Sequence, residues 1–198
     1  MILLGSITSP YVRRVRIVAN ALRAPLRLLD SRTAAGQAEL QRCSPTLKVP
    51  CAVFDDGVVV WDSQAINAEL LRRLGPGSLR PAGDPVVESN LLYAIDAALD
   101  AAINVFYLCA AEPSTSDNPY VQKQRQRVGV AMGWVAAQVE GGRLADREGL
   151  GLAEVALLSA LGWMRFRQTY PVDDNNELAA FLDMWERDGR VAGTGPVA

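Results

Sequence analysis

Residues 1–16 read Met1-Ile2-Leu3-Leu4-Gly5-Ser6-Ile7-Thr8-Ser9-Pro10-Tyr11-Val12-Arg13-Arg14-Val15-Arg16, and two structural periods meet in them. Met1 to Leu4 is a short apolar run ended by Gly5, the pattern of a buried strand. From Pro10 onward Val12, Val15, Ile17, Val18 and Leu22 recur at helical spacing, with Arg13, Arg14 and Arg16 between them, so 10–22 predicts an amphipathic helix. Ser9 suits the N-cap and Pro10 the first helical turn. A strand feeding a helix N-terminus also makes an anion site, because N–H groups and the positive dipole end point outward.

Working outward, 26–29 reads as a second strand and 35–42 as a weak helix ended by Ser44-Pro45. Cys51 to Phe54 and Val58 to Trp61 flank Asp55-Asp56-Gly57, a hairpin pattern. Ser63–Leu74 is a helix stopped by Gly75-Pro76-Gly77. Two prolines and a glycine between Leu79 and Pro85 mark a linker. Beyond it only helices are predicted, over Pro85–Ala111, 118–140, 152–168 and 177–187. The expected fold class is therefore an α/β domain over 1–77 and an all-α helical bundle over 85–198. The glycine-rich tail 189–196 predicts a loosely held end.

Composition narrows the chemistry. The chain has 198 residues, a formal net charge of −2 and no histidine, which removes the commonest general base and most transition-metal sites. No metal is expected. Arg13, Arg14 and Arg16 predict a solvated or dimer-facing surface, too small for a nucleic-acid footprint. Asp96, Asp100 and Asn104 interrupt the most apolar helix, so no membrane span is expected. The opening lacks a basic region followed by a long apolar core, the pattern of a secretory signal. The odd, widely spaced Cys43, Cys51 and Cys109 suit free thiols in a reducing cytoplasm.

Three short motifs can carry function. Ser9, at the first helix start, can donate a hydrogen bond to a thiolate held by the dipole; Ser6, at the strand end, is the alternative. A thiol pKa near ~8.5 leaves about 3% thiolate at neutral pH, and lowering it by ~2 units is worth ~2.7 kcal/mol. Val49-Pro50 precedes the third strand; a cis bond there would present the Val49 backbone to a peptide-like ligand. Asp62-Ser63 opens the third helix and can take an amino-acid head group. Taken singly, each is an ordinary cap or strand start.

As a set, Ser9-Pro10, Val49-Pro50 and Asp62-Ser63 resemble the glutathione-site motifs of the cytosolic glutathione transferase superfamily. The resemblance takes in 4–16, similar to bacterial serine-type members, then Pro45-Thr46-Leu47-Lys48-Val49-Pro50 and Trp61-Asp62-Ser63-Gln64-Ala65-Ile66. It extends loosely to Leu161-Gly162-Trp163-Met164-Arg165-Phe166-Arg167. It implies a thioredoxin-like N-terminal half that binds glutathione as co-substrate, a helical half for a small electrophile, a homodimer and a detoxification role. It further implies that Ser9 activates the glutathione sulfur, Val49 pairs with the cysteinyl backbone, Asp62 and Ser63 hold the γ-glutamyl end, and Lys48 reaches the glycyl carboxylate. Tyr11, Tyr107 and Trp163 are the expected electrophile-pocket residues, although aromatics at helical spacing also build cores. Ser9-Pro10-Tyr11-Val12 replaces the Cys-x-x-Cys loop of thioredoxin-like redox proteins, which disfavours dithiol chemistry. A glutathione-dependent isomerase or dehalogenase, and a non-catalytic binding protein on the same scaffold, are the alternatives. At the bundle's core helix, Gly151 stands where such proteins often cap with Ser or Thr, and Glu154 is expected to reach back to the backbone.

Overall fold

The computed structural model describes residues 1–144 and 149–197. The chain divides into two compact units, one of Met1–Pro81 with Arg187–Ala198, the other of Ala82–Glu186. The boundary falls inside the expected linker.

In the first unit the expected order holds: β1 (Ile2–Gly5), α1 (Pro10–Ala21), β2 (Arg27–Asp30), α2 (Ala34–Cys43), β3 (Cys51–Val53), β4 (Val59–Val60) and α3 (Ser63–Leu74). The sheet order is β2-β1-β3-β4. β1 runs parallel to β2, with Ile2 beside Arg27, and antiparallel to β3, with Leu4 beside Cys51. β3 is antiparallel to β4, with Ala52 beside Val60. α1 packs on α3, and α2 on β1 and β3. Leu4, Leu40 and Cys51 form a buried cluster flanked by Leu29, Cys43, Val49 and Val59. Gly5 is required where α1 returns over β1, because a Cβ there would overlap the Val12 side chain.

The C-terminal tail corrects two expectations. It is not loosely held, and it packs with the first unit instead of the helical bundle. Val191 is fully buried and Thr194 is 2% exposed. Arg13 and Arg16, expected on a solvated or dimer-facing surface, help to hold it. Arg13 Nε donates to Thr194 Oγ1 at 3.2 Å. Arg16 donates to the carbonyls of Thr194 at 3.0 Å and Gly193 at 2.6 Å. Asn20 Nδ2 donates to the Arg190 carbonyl at 2.9 Å, and Arg190 to the Ser78 carbonyl at 2.8 Å. Arg13 and Arg14 are only 1% and 2% exposed; Arg14 lies over the Tyr11 ring at 4.9 Å. Burial and the neighbouring Arg13 lower the Arg16 guanidinium below its ordinary value. The tail's carbonyls and hydroxyl supply the acceptors that allow these donors to leave water.

The second unit contains α4 (Pro85–Ala111), α5 (Pro119–Glu140), α6 (Leu152–Arg167) and α7 (Asn176–Glu186), with 3₁₀ turns at Pro113–Asp117 and Val172–Asp174. Asp84-Pro85 and Asn118-Pro119 begin α4 and α5 as Ser9-Pro10 begins α1, each with a side-chain cap and proline in the first turn. By length and composition α4 is apolar enough to cross a membrane, contrary to expectation. It packs on α5 and α6, with Leu91, Ile95, Ala98, Leu99 and Ala102 buried. Asp96 is half-buried, whereas Asp100 and Asn104 are exposed. α6 is buried continuously from Ala153 to Met164. Arg165 ties it to Asp173 at 2.5 Å and to Asp183 on α7 at 2.9 Å.

The start of α6 lacks a capping side chain, and two glutamates substitute. Glu154, fully buried, accepts from the Gly151 amide at 2.9 Å. Glu88, from the first turn of α4, accepts from the Ala153 amide at 3.0 Å, the N2 donor that a serine or threonine cap would serve. Glu88→Ala is expected to lower unfolding free energy in urea by about 1–2 kcal/mol. Glu88→Gln, which keeps an acceptor oxygen, should lose less; equal losses would show that the Ala153 contact contributes nothing.

Thr194→Val removes the hydroxyl that receives the buried Arg13 donor. It should cost about 1–3 kcal/mol in the same assay, and an unchanged midpoint would mean that water replaces the contact.

Candidate functional site

The sheet register gathers the three motifs. The last β1/β3 pair is Leu4 with Cys51, so the residues that follow β1 and the Val49-Pro50 step that precedes β3 lie at the same end of the sheet. The β3/β4 pair Ala52–Val60 brings the end of β4, followed by Trp61-Asp62, to that end as well. The end of β1, the start of β3 and the end of β4 therefore share one edge of the sheet, and α1 and α3 both begin there. Two positive dipole ends converge on one edge, which suits an anionic ligand.

At that edge Ser9 is half-buried and caps α1, its Oγ accepting from the Val12 amide at 3.3 Å. An oxygen that accepts in this way retains its own O–H to donate. Ser6 Oγ is instead paired with Thr8 Oγ1 at 3.1 Å. The Val49–Pro50 bond is cis, as is Trp61–Asp62. Pro50 is buried and Val49 half-buried; among the described residues no hydrogen bond engages the Val49 backbone. Asp62 caps α3 with a single oxygen, Oδ1, which accepts from the amides of Gln64 at 2.8 Å and Ala65 at 3.2 Å. Ser63 follows as a buried first-turn residue. Lys48 is exposed. Tyr11 is half-buried in the first turn of α1.

The two thiols of the first unit are poorly suited to attack. Cys51 is fully buried beside this edge, and burial pushes its thiol up to about 11. Burial also raises Cys43, whose Sγ–H donates to Glu39 at 3.5 Å. Cys109 lies in the other unit, 3.8 Å from Arg125 Nη2. A nucleophilic sulfur at this edge has to arrive with a ligand. Among the described residues no group of three or more His, Cys, Asp or Glu side chains is placed to hold a metal.

Residues 8–73 match the family described as "Glutathione S-transferase, N-terminal domain". The fold is that of the glutathione transferases. The chain is 27% identical over 169 residues to glutathione S-transferase D7 of Drosophila melanogaster, covering 80% of this chain and 73% of that protein. A glutathione S-transferase of Methylobacillus flagellatus, solved with glutathione bound, superposes with a TM-score of 0.85 at 23% identity, over 99% of both chains. A glutathione transferase family member from Pseudomonas fluorescens, also with bound glutathione, gives 0.84 at 23% identity, over 100% of this chain and 99% of that one.

In the helical unit, Tyr107 on α4 is 65% exposed and Trp163 on α6 is 4% exposed. Phe106 joins them, edge-on to Tyr107 at 5.2 Å and to Trp163 at 5.7 Å. Sequence reading did not single out the cation in this cluster, Arg167, whose guanidinium lies over Phe106 at 5.0 Å and Phe166 at 4.7 Å. The signal available was an arginine directly after a phenylalanine at the end of an otherwise apolar helix.

Cys51 provides a test of the edge. In the folded protein at about pH 8 it should resist iodoacetamide and react only after denaturation, as read by mass spectrometry. Its neutral form is favoured by folding, so its contribution to stability is complete below the ordinary value of 9.0 and lost as pH rises toward about 11. Cys51→Ala should make that alkaline loss shallower; an unchanged slope would assign it to other groups.

Proposed function

We propose that the protein is a glutathione transferase that holds glutathione at the common edge of β1, β3 and β4 as a thiolate, and adds it to a small, partly apolar electrophile. The observation that carries this reading is the convergence of the Ser9 and Asp62 caps with the Val49 backbone on one sheet edge. Ser9 donates its O–H to the glutathione sulfur, helped by the positive end of α1. Its own geometry supports it over Ser6, whose hydroxyl already has Thr8 as a partner. Val49 pairs through its backbone with the cysteinyl residue of the tripeptide. The Asp62 oxygen not used in capping takes the γ-glutamyl ammonium, Ser63 its carboxylate, and Lys48 reaches the glycyl end. Glutathione-bound structures of the same fold, from Methylobacillus and Pseudomonas, support this placement.

The chemistry needs no imidazole and no metal. Lowering the thiol pKa by ~2 units, worth ~2.7 kcal/mol, makes the bound sulfur mostly thiolate near neutral pH. The thiol proton passes to solvent, and the sulfur forms a C–S bond to the electrophile as the electron pair it displaces shifts onto the neighbouring atom of the adduct. Tyr107 and Trp163 of the helical unit are assigned to the electrophile. We further propose a cytoplasmic homodimer: the free cysteines suit a reducing compartment, and exposed Tyr93, Val130 and Trp134 on α4 and α5 suit a covered surface.

Calorimetry with glutathione at about pH 6.5 and about pH 8 should show saturable binding in the micromolar-to-millimolar range. Ser9→Ala should leave that affinity nearly intact while lowering turnover with a model electrophile by about 10²-fold or more. Thiolate absorbance near 240 nm should then titrate at higher pH than in the parent. Equal turnover in mutant and parent removes the role from Ser9, and a loss confined to Ser6→Ala transfers it to Ser6. No binding at either pH favours a non-catalytic protein on this scaffold.

A further inference from the structure

Arg167 ends α6, half-buried, with its guanidinium clasped between the Phe106 and Phe166 rings. Ring faces orient a guanidinium and favour its charge, but they accept none of its in-plane N–H donors. Arg167 Nε is buried with no hydrogen-bond partner. Among the described residues no carboxylate, carbonyl or hydroxyl accepts from any Arg167 nitrogen. Arg165 is the contrast on the same helix end: its two Nη groups hold Asp173 and Asp183. Thr169, just beyond the helix, also has a buried Oγ1 without a partner.

The surroundings are equally specific. Phe106 meets Tyr107 and Trp163 edge-on, and Tyr107 is largely exposed. The result is an aromatic cluster of near-perpendicular rings, open at Tyr107, with one immobilised cation set into it. A planar guanidinium held by rings matches a carboxylate in its own plane, with two parallel N–H···O bonds. The rings match a flat apolar body attached to that carboxylate.

We propose that Arg167 is a specificity-determining residue, which binds the carboxylate of an aromatic ligand whose ring packs on Phe106 and Tyr107. The second substrate is then an aromatic electrophile bearing a carboxylate; that role rests on the transferase reading, whereas the anion preference itself does not.

The test uses the whole chain and two probes of one shape, 2-naphthoate and 2-naphthamide, titrated calorimetrically near neutral pH. Naphthoate should bind the parent protein about ten-fold tighter than naphthamide. Arg167→Gln should abolish the preference while leaving naphthamide affinity unchanged, and Arg167→Lys should keep part of it as a point charge. Circular dichroism checks that each variant is folded. Equal affinities in the parent, which needs no variant, overturn the proposal, as does a naphthoate preference that survives Arg167→Gln. Repeating the titrations with glutathione present separates the two readings. If glutathione fails to bind but the Arg167-dependent preference persists, the transferase reading falls and the carboxylate site stands. If glutathione binds and the preference is absent, the reverse holds.

Discussion

The antiparallel register that sets Leu4 beside Cys51 is the constraint on which the first unit depends. Side chains alternate faces along a strand, so a one-residue slip would turn Leu4 away from Leu40 and Cys51. The same slip would move Val49 and Pro50 along β1, away from the end where α1 begins. The β3/β4 pairing passes the constraint to Asp62. Helix α1 is held to this frame at close range, since Gly5 leaves no room for a Cβ under Val12. A small sheet thus positions two helix starts and one stretch of backbone, with no long-range side-chain contact needed among them.

That locality explains what could be read in the sequence. Ser9-Pro10 and Asp62-Ser63 are legible because an N-cap acts on amides two or three residues away. The strands around Asp55-Asp56-Gly57 are legible because the turn residues and the apolar alternation agree. The apolar runs of α4 and α6 are legible as helices, whereas it is the resemblance that marks α6 as a core helix. What escaped reading depends on contacts distant in sequence. The arginines on α1 look like a solvated or dimer-facing surface until Thr194 and the carbonyls of the tail arrive to accept from Arg13 and Arg16. Gly151 looks like a weak helix start until Glu88 on α4 reaches the Ala153 amide. Arg167 looks like a helix-ending cation, and only the approach of Phe106 from α4 shows it held between rings.

Cations are handled in two ways in this molecule. On exposed helix faces they meet carboxylates within one turn, as Arg42 does with Glu39 and Arg72 with Glu69; such pairs contribute little to stability. Cations withdrawn from water also meet neutral acceptors or rings, alongside carboxylates in the case of Arg73, which pairs with Asp56 and Glu69. Arg13 and Arg16 are served by a hydroxyl and carbonyls, Arg73 lies over Phe54 at 4.2 Å, and Arg14 over Tyr11.

The tail's return to α1 makes the first unit discontinuous, with residues 187–198 completing what residues 1–81 begin. On the ribosome the N-terminal strands and helices emerge first, at roughly 5–20 residues per second, yet Arg13 meets Thr194 only after the whole helical unit has been synthesised. The nascent first unit therefore waits with its α1 guanidiniums in water. A chain stalled or cleaved before residue 187 would lack the acceptors that Gly193 and Thr194 offer to Arg13 and Arg16.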